Sequence, residues 1–509
     1  MKLQKLTIAL LIFSSALITR NLYSADMRPL MYSARQPMWA NTLYHYERDA
    51  LQILNGERGW LLPHKIKRTD TFILGYPPGY GIFLSLVYRL AGANYFAVQR
   101  AQAIGDSLTA IVTFLIAAQL FGLRIGAISG FIVALAPHFA YHSNWIMPDS
   151  LCVLPIVGAI YLLLRAQTEP GYWRYCLAGL LVGLSCWLRP NALLLSAFLA
   201  LYILLLQKRG WLISGQRSER LTDKSAESLP LKQHRPRKSI YAALCLVLSS
   251  WIAIAPITIR NYAIFHRFIP ISLGAGVNLW EGIGEYSAEF GAVFGDLALM
   301  ASEAREYNNP QYAGSLYYPD GIEREQERIG KSLRVIAEHP IWYLGVMVNR
   351  MGTMLKFYAY PMIDRDLVGV ESVQPGIEFY TNLFGAWGAV QYYLDWGRPL
   401  DLLRPVARLC QRIIKEGAIA LVILGTLVLS LRDYRKLLFI LAVPLYYLLA
   451  QSTMHTEFRY ALPMHCFTFI LIAAGFSALI DTITWALRQA GIVTAIGQRH
   501  RRTASGNYS

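Results

Sequence analysis

Three carboxylates could do chemistry at a membrane surface. Glu47 and Asp49 lie in Tyr44-His45-Tyr46-Glu47-Arg48-Asp49, and Asp149 lies in Met147-Pro148-Asp149 as the only acid between Phe121 and Leu164. An ionisable group near membrane depth is costly and is usually retained for function. Each also has a plainer reading. Asp149 suits the N-cap of the helix that follows it. Glu47 and Asp49, two residues apart, do not share a helix face, so only one can point at a given site, and a solvated face accounts for the pair as well. Four arginines stand at outer ends of apolar runs: Arg100, Arg189, Arg260 and Arg459. The guanidinium fork makes paired, charge-assisted hydrogen bonds to phosphate, while headgroup anchoring by snorkelling is the simpler alternative. Transfer of a group from a phosphate-linked sugar needs one carboxylate base and cations on the leaving phosphate. Hydrolysis of an ordinary glycosidic bond needs two placed carboxylates. One outer acid with several arginines suits transfer better.

The scaffold for these groups reads as an all-α integral membrane bundle. Hydrophobic residues make up 55% of the 509 and charged residues 16%, against about 25% charged in a soluble chain. Apolar runs fall at Leu6–Tyr23, Phe96–Phe121, Ile125–Tyr141, Leu151–Leu164, Trp173–Leu188, Ala192–Leu206, Ile240–Ile259, Ala418–Leu431, Leu437–Thr453 and Pro463–Leu487. About ten spans, in a range of roughly 9–13, therefore form one domain over residues 1–487. Leu6–Ile18 lacks a small-x-small cleavage site and continues into Arg20 and Tyr23, so it reads as an uncleaved first span. With both termini inside, the inner connections hold Lys2 and Lys5, Arg124, Arg165 and Arg174, the basic linker Gln207–Lys238, Arg432, Arg435 and Lys436, and the tail from residue 488 to 509. That agrees with the positive-inside rule. It also accounts for the net charge of +16 without nucleic acid as a partner. The six cysteines show neither CxxC nor zinc-ligand spacing.

Two long segments then fall outside, residues 24–95 and 260–415. Gly79–Leu90 is an apolar helix too short to span, and His339–Tyr358 carries Arg350 and Lys356. Both read as interfacial or re-entrant.

Several strings, in this order and spacing, carry a family resemblance: Tyr76-Pro77-Pro78-Gly79-Tyr80, Met147-Pro148-Asp149, Leu188-Arg189-Pro190-Asn191, Thr258-Ile259-Arg260-Asn261-Tyr262, Gly276-Val277-Asn278-Leu279-Trp280 and Arg459-Tyr460-Ala461-Leu462-Pro463. Through them the chain resembles the C-fold (GT-C), lipid-phosphate-dependent membrane glycosyltransferases. That group holds protein O-mannosyltransferases and the lipid A aminoarabinose transferase. The match is strongest to the bacterial branch similar to lipopolysaccharide-core sugar transferases. The resemblance implies inverting transfer of a hexosyl or pentosyl group from a polyprenyl-phosphate donor to a lipid, glycan or protein acceptor. It implies the outer face of a bacterial inner membrane and a substrate cavity around Tyr46, Tyr76, Pro78, Tyr80, Asn191, Asn278, Glu457 and Tyr460. It also implies an acidic base in the first outer loop. Tyr46, Ala50, Ile53, Leu54 and Gly56 fit that frame, but the acid's position falls at Asn41 or Thr42. Either Glu47 or Asp49 takes over, or the chain is a divergent member; Asp149 matches the family's second outer acid. No cofactor is required. A divalent metal is compatible only if Glu47, Asp49 and Asp149 converge. The rival readings are a transporter or flippase of polyprenyl-linked glycans and a non-catalytic scaffold. A transporter should show inverted repeats or charges at mid-span, and neither is evident in the sequence.

Overall fold

The computed structural model describes residues 2–33, 40–61, 67, 69–169, 171–208, 236–355 and 404–489, and the elements among them are all helices. From the N-terminus come α1 (Lys2–Ser33), α2 (Ala40–Leu54), α3 (Gly79–Ala91), α4 (Tyr95–Phe121), α5 (Leu123–Leu135), α6 (Pro137–Asn144), α7 (Val153–Thr168) and α8 (Trp173–Leu188). Then follow α9 (Leu195–Lys208), α10 (Pro236–Phe265), α11 (Ala275–Gly284), α12 (Asp296–Glu306), α13 (Gly321–Glu338), α14 (Pro340–Leu355), α15 (Arg404–Ser452) and α16 (Leu462–Gln489). Among the described residues, five stretches are long and apolar enough to cross a membrane: Leu3–Ser24, Tyr95–Phe121, Ser239–Phe265, Lys415–Ser452 and Phe458–Gln489. The bent pair α5–α6 makes a sixth, and α3, α7, α8 and Pro190–Leu205 are apolar but shorter. At the expected turn, Arg432–Lys436, Asp433 takes the non-helical φ −159°, ψ 79°, so the stretch labelled α15 is two helices that meet at this break.

The 46° bend between α5 and α6 has a specific cause and a specific remedy. Pro137 has no N–H, so the helix breaks and carbonyls of its last turn lose their partners. Arg20 of α1 donates to the carbonyls of Val133 and Ala134, and Gln411 of α15 donates to that of Leu135 at 3.1 Å. Arg20 is fully buried and also meets the fully buried Asp106 of α4 at 2.7 Å. The sequence reading had no charged group inside a span; this pair corrects it. Its bonds to freed carbonyls make it a clamp on three helices, because backbone groups away from water must find partners within the protein.

Close helix contact elsewhere needs small residues. A Cβ on Gly183 of α8 would stand 2.5 Å from the Ala253 Cβ and 2.6 Å from the Ser250 carbonyl oxygen of α10. The outer segments build their own lobe, with a core of Val277, Trp280, Ile283, Leu299, Leu316 and Val335. Arg324 and Arg328 of α13 grip Glu303 of α12 at 2.8 and 2.6 Å. Leu273 N donates to the Leu74 carbonyl at 2.7 Å and Gly321 N to the Thr71 hydroxyl at 3.2 Å, so the two outer segments meet.

Candidate functional site

Arg189 occupies the point where α8 must stop. Pro190 disfavours helical geometry in the residue before it, and Arg189 is extended at φ −144°, ψ 129°. Its Nη2 meets Asp149 Oδ2 at 2.8 Å, and its guanidinium lies over the Tyr460 ring at 5.1 Å. The turn that carries Asp149 is held by side-chain amides of α4. Gln102 donates to the carbonyls of Ser143 and Trp145 at 2.9 and 2.6 Å, and Gln99 to that of Asn144 at 2.8 Å. The N-cap of α7 is Cys152, so the capping alternative for Asp149 falls away. Burial alone would push the Asp149 carboxyl up; Arg189 and Arg459 outweigh it and hold it below the usual carboxylate range.

Arg459 stands on the short 3-10 turn Phe458–Ala461, at 3.2 Å from Met147 Sδ and paired with Glu457. Tyr446 donates to the Asn191 carbonyl at 2.8 Å and so fixes the turn after Arg189 from α15. Gly79, at the start of α3, lies so close to Trp187 that an added Cβ would meet its carbonyl oxygen at 2.5 Å. α3, α8, α15 and the turn before α16 thus converge on one place.

Between the bundle and the outer lobe lies a cavity of about 400 Å³. It is lined by Tyr46, Tyr76, Arg189, Asn191, Asn278, Glu457, Arg459 and Tyr460, all residues that the sequence singles out. Glu281, Asp296, Ser272, Tyr317 and His455 line it too, and no motif in the sequence pointed to them. Buried polar atoms are normally hydrogen-bonded. Among the described residues, Tyr46 Oη, Arg189 Nε, Ser272 Oγ, Glu281 Oε1 and Arg459 Nε have no such partner. Five unpaired groups around one cavity leave room for a polar ligand to supply partners.

The acids of the first outer segment point elsewhere. Glu47 accepts from Tyr88 Oη at 3.1 Å and from Tyr95 Oη at 2.8 Å. Asp49 pairs with Arg58 at 2.7 Å. Neither lines the cavity. Tyr80 is fully buried and donates to Gln102, and Pro78 is the N-cap of α3, so both support the site from behind. Arg100 lies over Phe96 at 4.4 Å, and Arg260 donates to Asn261 Oδ1 from Nε and Nη2 at 2.9 and 2.7 Å. His45, stacked on Tyr76 at 5.0 Å, is driven down to about 4 by burial and by Arg48, so it is neutral near pH 7.

Glu281 sits on α11, whose N-terminus is gripped by Glu325: Oε1 accepts from Gly274 N at 2.7 Å and Gly276 N at 2.8 Å. Gly276 is needed for this approach, since a Cβ there would stand 2.5 Å from the Glu325 carbonyl oxygen. Burial, then the charge and hydrogen bond of Asp296, raise Glu281 to about 8 against the opposing pull of Arg328. Among the described residues no group of three or more His, Cys, Asp or Glu could hold a metal ion.

Residues 76–216 match the model of the dolichyl-phosphate-mannose-protein mannosyltransferase family. No curated protein matches the chain significantly in sequence. In structure, the chain is similar to the archaeal oligosaccharyltransferase AglB from Archaeoglobus fulgidus, solved with an inhibitory peptide and a dolichol-phosphate, at a TM-score of 0.50 and 15% identity. That match covers 96% of this chain and 52% of AglB, so the chain spans about half the length of that relative. ArnT from Cupriavidus metallidurans, solved with undecaprenyl phosphate, matches at a TM-score of 0.34 and 14% identity over 93% of this chain and 77% of that one. The sequence match is confined to residues 76–216, and the helical fold is the one shared with AglB.

Proposed function

We propose that the chain transfers a hexosyl or pentosyl group, with inversion, from a polyprenyl-phosphate donor to a lipid, glycan or protein acceptor at the outer face of a bacterial cytoplasmic membrane. The observation that carries this reading is the presence of Arg189 and Arg459 on one cavity of about 400 Å³, each with its Nε unpaired among the described residues. In the proposed reaction these two guanidiniums bind the phosphate and stabilise the charge that gathers on it as the sugar departs. Asp149, with one oxygen on Arg189 and the other unpaired among the described residues, positions that guanidinium. Tyr46, Tyr76 and Tyr460 supply an aromatic wall suited to a sugar ring, and Asn191, Asn278 and Glu457 supply polar contacts around it. Ten spans with both termini inside would put this cavity at the outer face, consistent with the basic inner connections.

Equilibrium binding of polyprenyl phosphate tests the phosphate assignment. Wild type is expected to bind, and Arg189→Met and Arg459→Met to bind at least about tenfold more weakly, in line with losing a charged hydrogen-bond donor. Equal binding by all three proteins would remove the assignment.

A further inference from the structure

The phosphate side of the cavity leaves one part of its wall unused: the Glu281–Asp296 pair. Glu281 comes from α11, placed by the Glu325 grip on its first amides, and Asp296 opens α12 directly after Gly295 at φ +99°. Both acids line the cavity that Arg189 and Arg459 line. Glu281 is only 4% exposed, and its Oε1 has no hydrogen-bond partner among the described residues. The charges that act on it are Asp296, Arg328 and Glu457. Glu281 is buried while Asp296 is exposed, and burial together with the neighbouring acid keeps a proton on Glu281, so the pair holds one proton and retains one site for another.

Resting on the sugar-transfer reading, we infer that the Glu281–Asp296 pair is the proton acceptor for the incoming hydroxyl. The hydroxyl oxygen bonds to the anomeric carbon, and the bond from that carbon to the phosphate oxygen breaks. Its electron pair stays on the phosphate beside Arg189 and Arg459. The hydroxyl proton passes to the pair, which goes from one proton to two and then returns one to water. The arrangement sets the proton acceptor on the outer lobe and the phosphate cradle on the bundle, with the sugar between them.

The test uses full-length wild type, E281Q and D296N with a pool of polyprenyl-phosphate sugars, measuring transfer, polyprenyl-phosphate binding and donor cleavage with added azide. Azide attacks without a proton to lose, so it bypasses a missing base and does nothing for a distorted site. The pair predicts transfer down at least about 100-fold in both variants, the usual weight of general base catalysis, with carrier binding kept and azide restoring donor cleavage. Transfer within about threefold of wild type in either variant overturns the pair and leaves the sugar-transfer reading standing. A loss that azide does not restore, with binding intact, also overturns the proton-acceptor role. No donor cleaved by wild type, with or without azide, overturns both readings.

Discussion

Arg189 divides its guanidinium between an acid of the protein and the open cavity. Nη2 is committed to Asp149, while Nε is unpaired among the described residues, so the group is oriented without being used up. Lysine at this position keeps the charge and loses the planar fork. Arg189→Lys is therefore expected to lower kcat/KM for sugar transfer by about 100- to 1,000-fold, the scale of a lost transition-state donor. Asp149→Asn is expected to raise the donor KM more than it lowers kcat, because it frees Arg189 without removing it; steady-state kinetics on the two variants checks the contrast. Glu281 makes a different prediction, in stability. Its pKa is raised in the folded protein to about 8, so the folded state holds this proton more tightly than the unfolded chain does. That contribution is fully present below the unfolded carboxyl pKa, about 4.3, and is lost as pH rises through about 8. Melting measured between pH 6 and pH 9 should show a decline in wild type that E281Q reduces.

At the scale of elements, the break at Pro137 is stable because side chains from two other helices take over its carbonyls. Arg20 serves two of them as well as Asp106, whereas Asp106 serves only Arg20 in the hydrogen bonds observed. Breaking a buried pair by removing one partner costs about 3–5 kcal/mol. Arg20→Met is thus expected to cost more than Asp106→Asn, and the double variant Arg20→Met/Asp106→Leu to remain well below wild type, since Val133 and Ala134 stay unpaired. Thermal unfolding in detergent measures all three. A second expectation concerns packing: Gly183→Leu would drive a side chain into Ser250 and Ala253, and should separate α8 from α10 and displace Arg189 at the end of α8. These features also mark the limits of what a sequence declares. Hydropathy located the apolar runs to within a few residues of helices, Ile125–Tyr141 across the broken pair α5–α6, and Leu188-Arg189-Pro190-Asn191 announced a helix end carrying a cation. Arg20 and Asp106 are 86 residues apart, and nothing local in either run signals that they meet.

For the whole molecule, the site depends on two outer segments closing over the bundle. Its bundle half was legible, because Arg189, Asp149, Arg459 and Tyr460 lie at helix ends within recognisable strings. Its outer half was not. Glu281 and Asp296 are ordinary acids in a polar segment; the grip of Glu325 on α11 brings the first to the cavity, and the hold of Arg324 and Arg328 on Glu303 anchors α12, which carries the second. Glu47 and Asp49 looked more suitable by position, yet Tyr88, Tyr95 and Arg58 occupy them. Single cysteines offer a check on the proposed topology. In a background without the six native cysteines, one placed at Thr456 should react with an impermeant thiol reagent added to intact cells, and one in the linker 209–235 only after the membrane is opened.

The most direct measurement is sugar transfer itself. Purified wild type, Arg189→Met and Arg459→Met are each incubated with the same pool of polyprenyl-phosphate sugars and a membrane extract as acceptor source. The prediction is transfer of one sugar by wild type, with release of free polyprenyl phosphate, and a fall of about 100-fold or more in each variant. Sugar transfer that proceeds equally in all three proteins would contradict the phosphate cradle, and movement of intact donor across liposomes without transfer would contradict the enzyme itself.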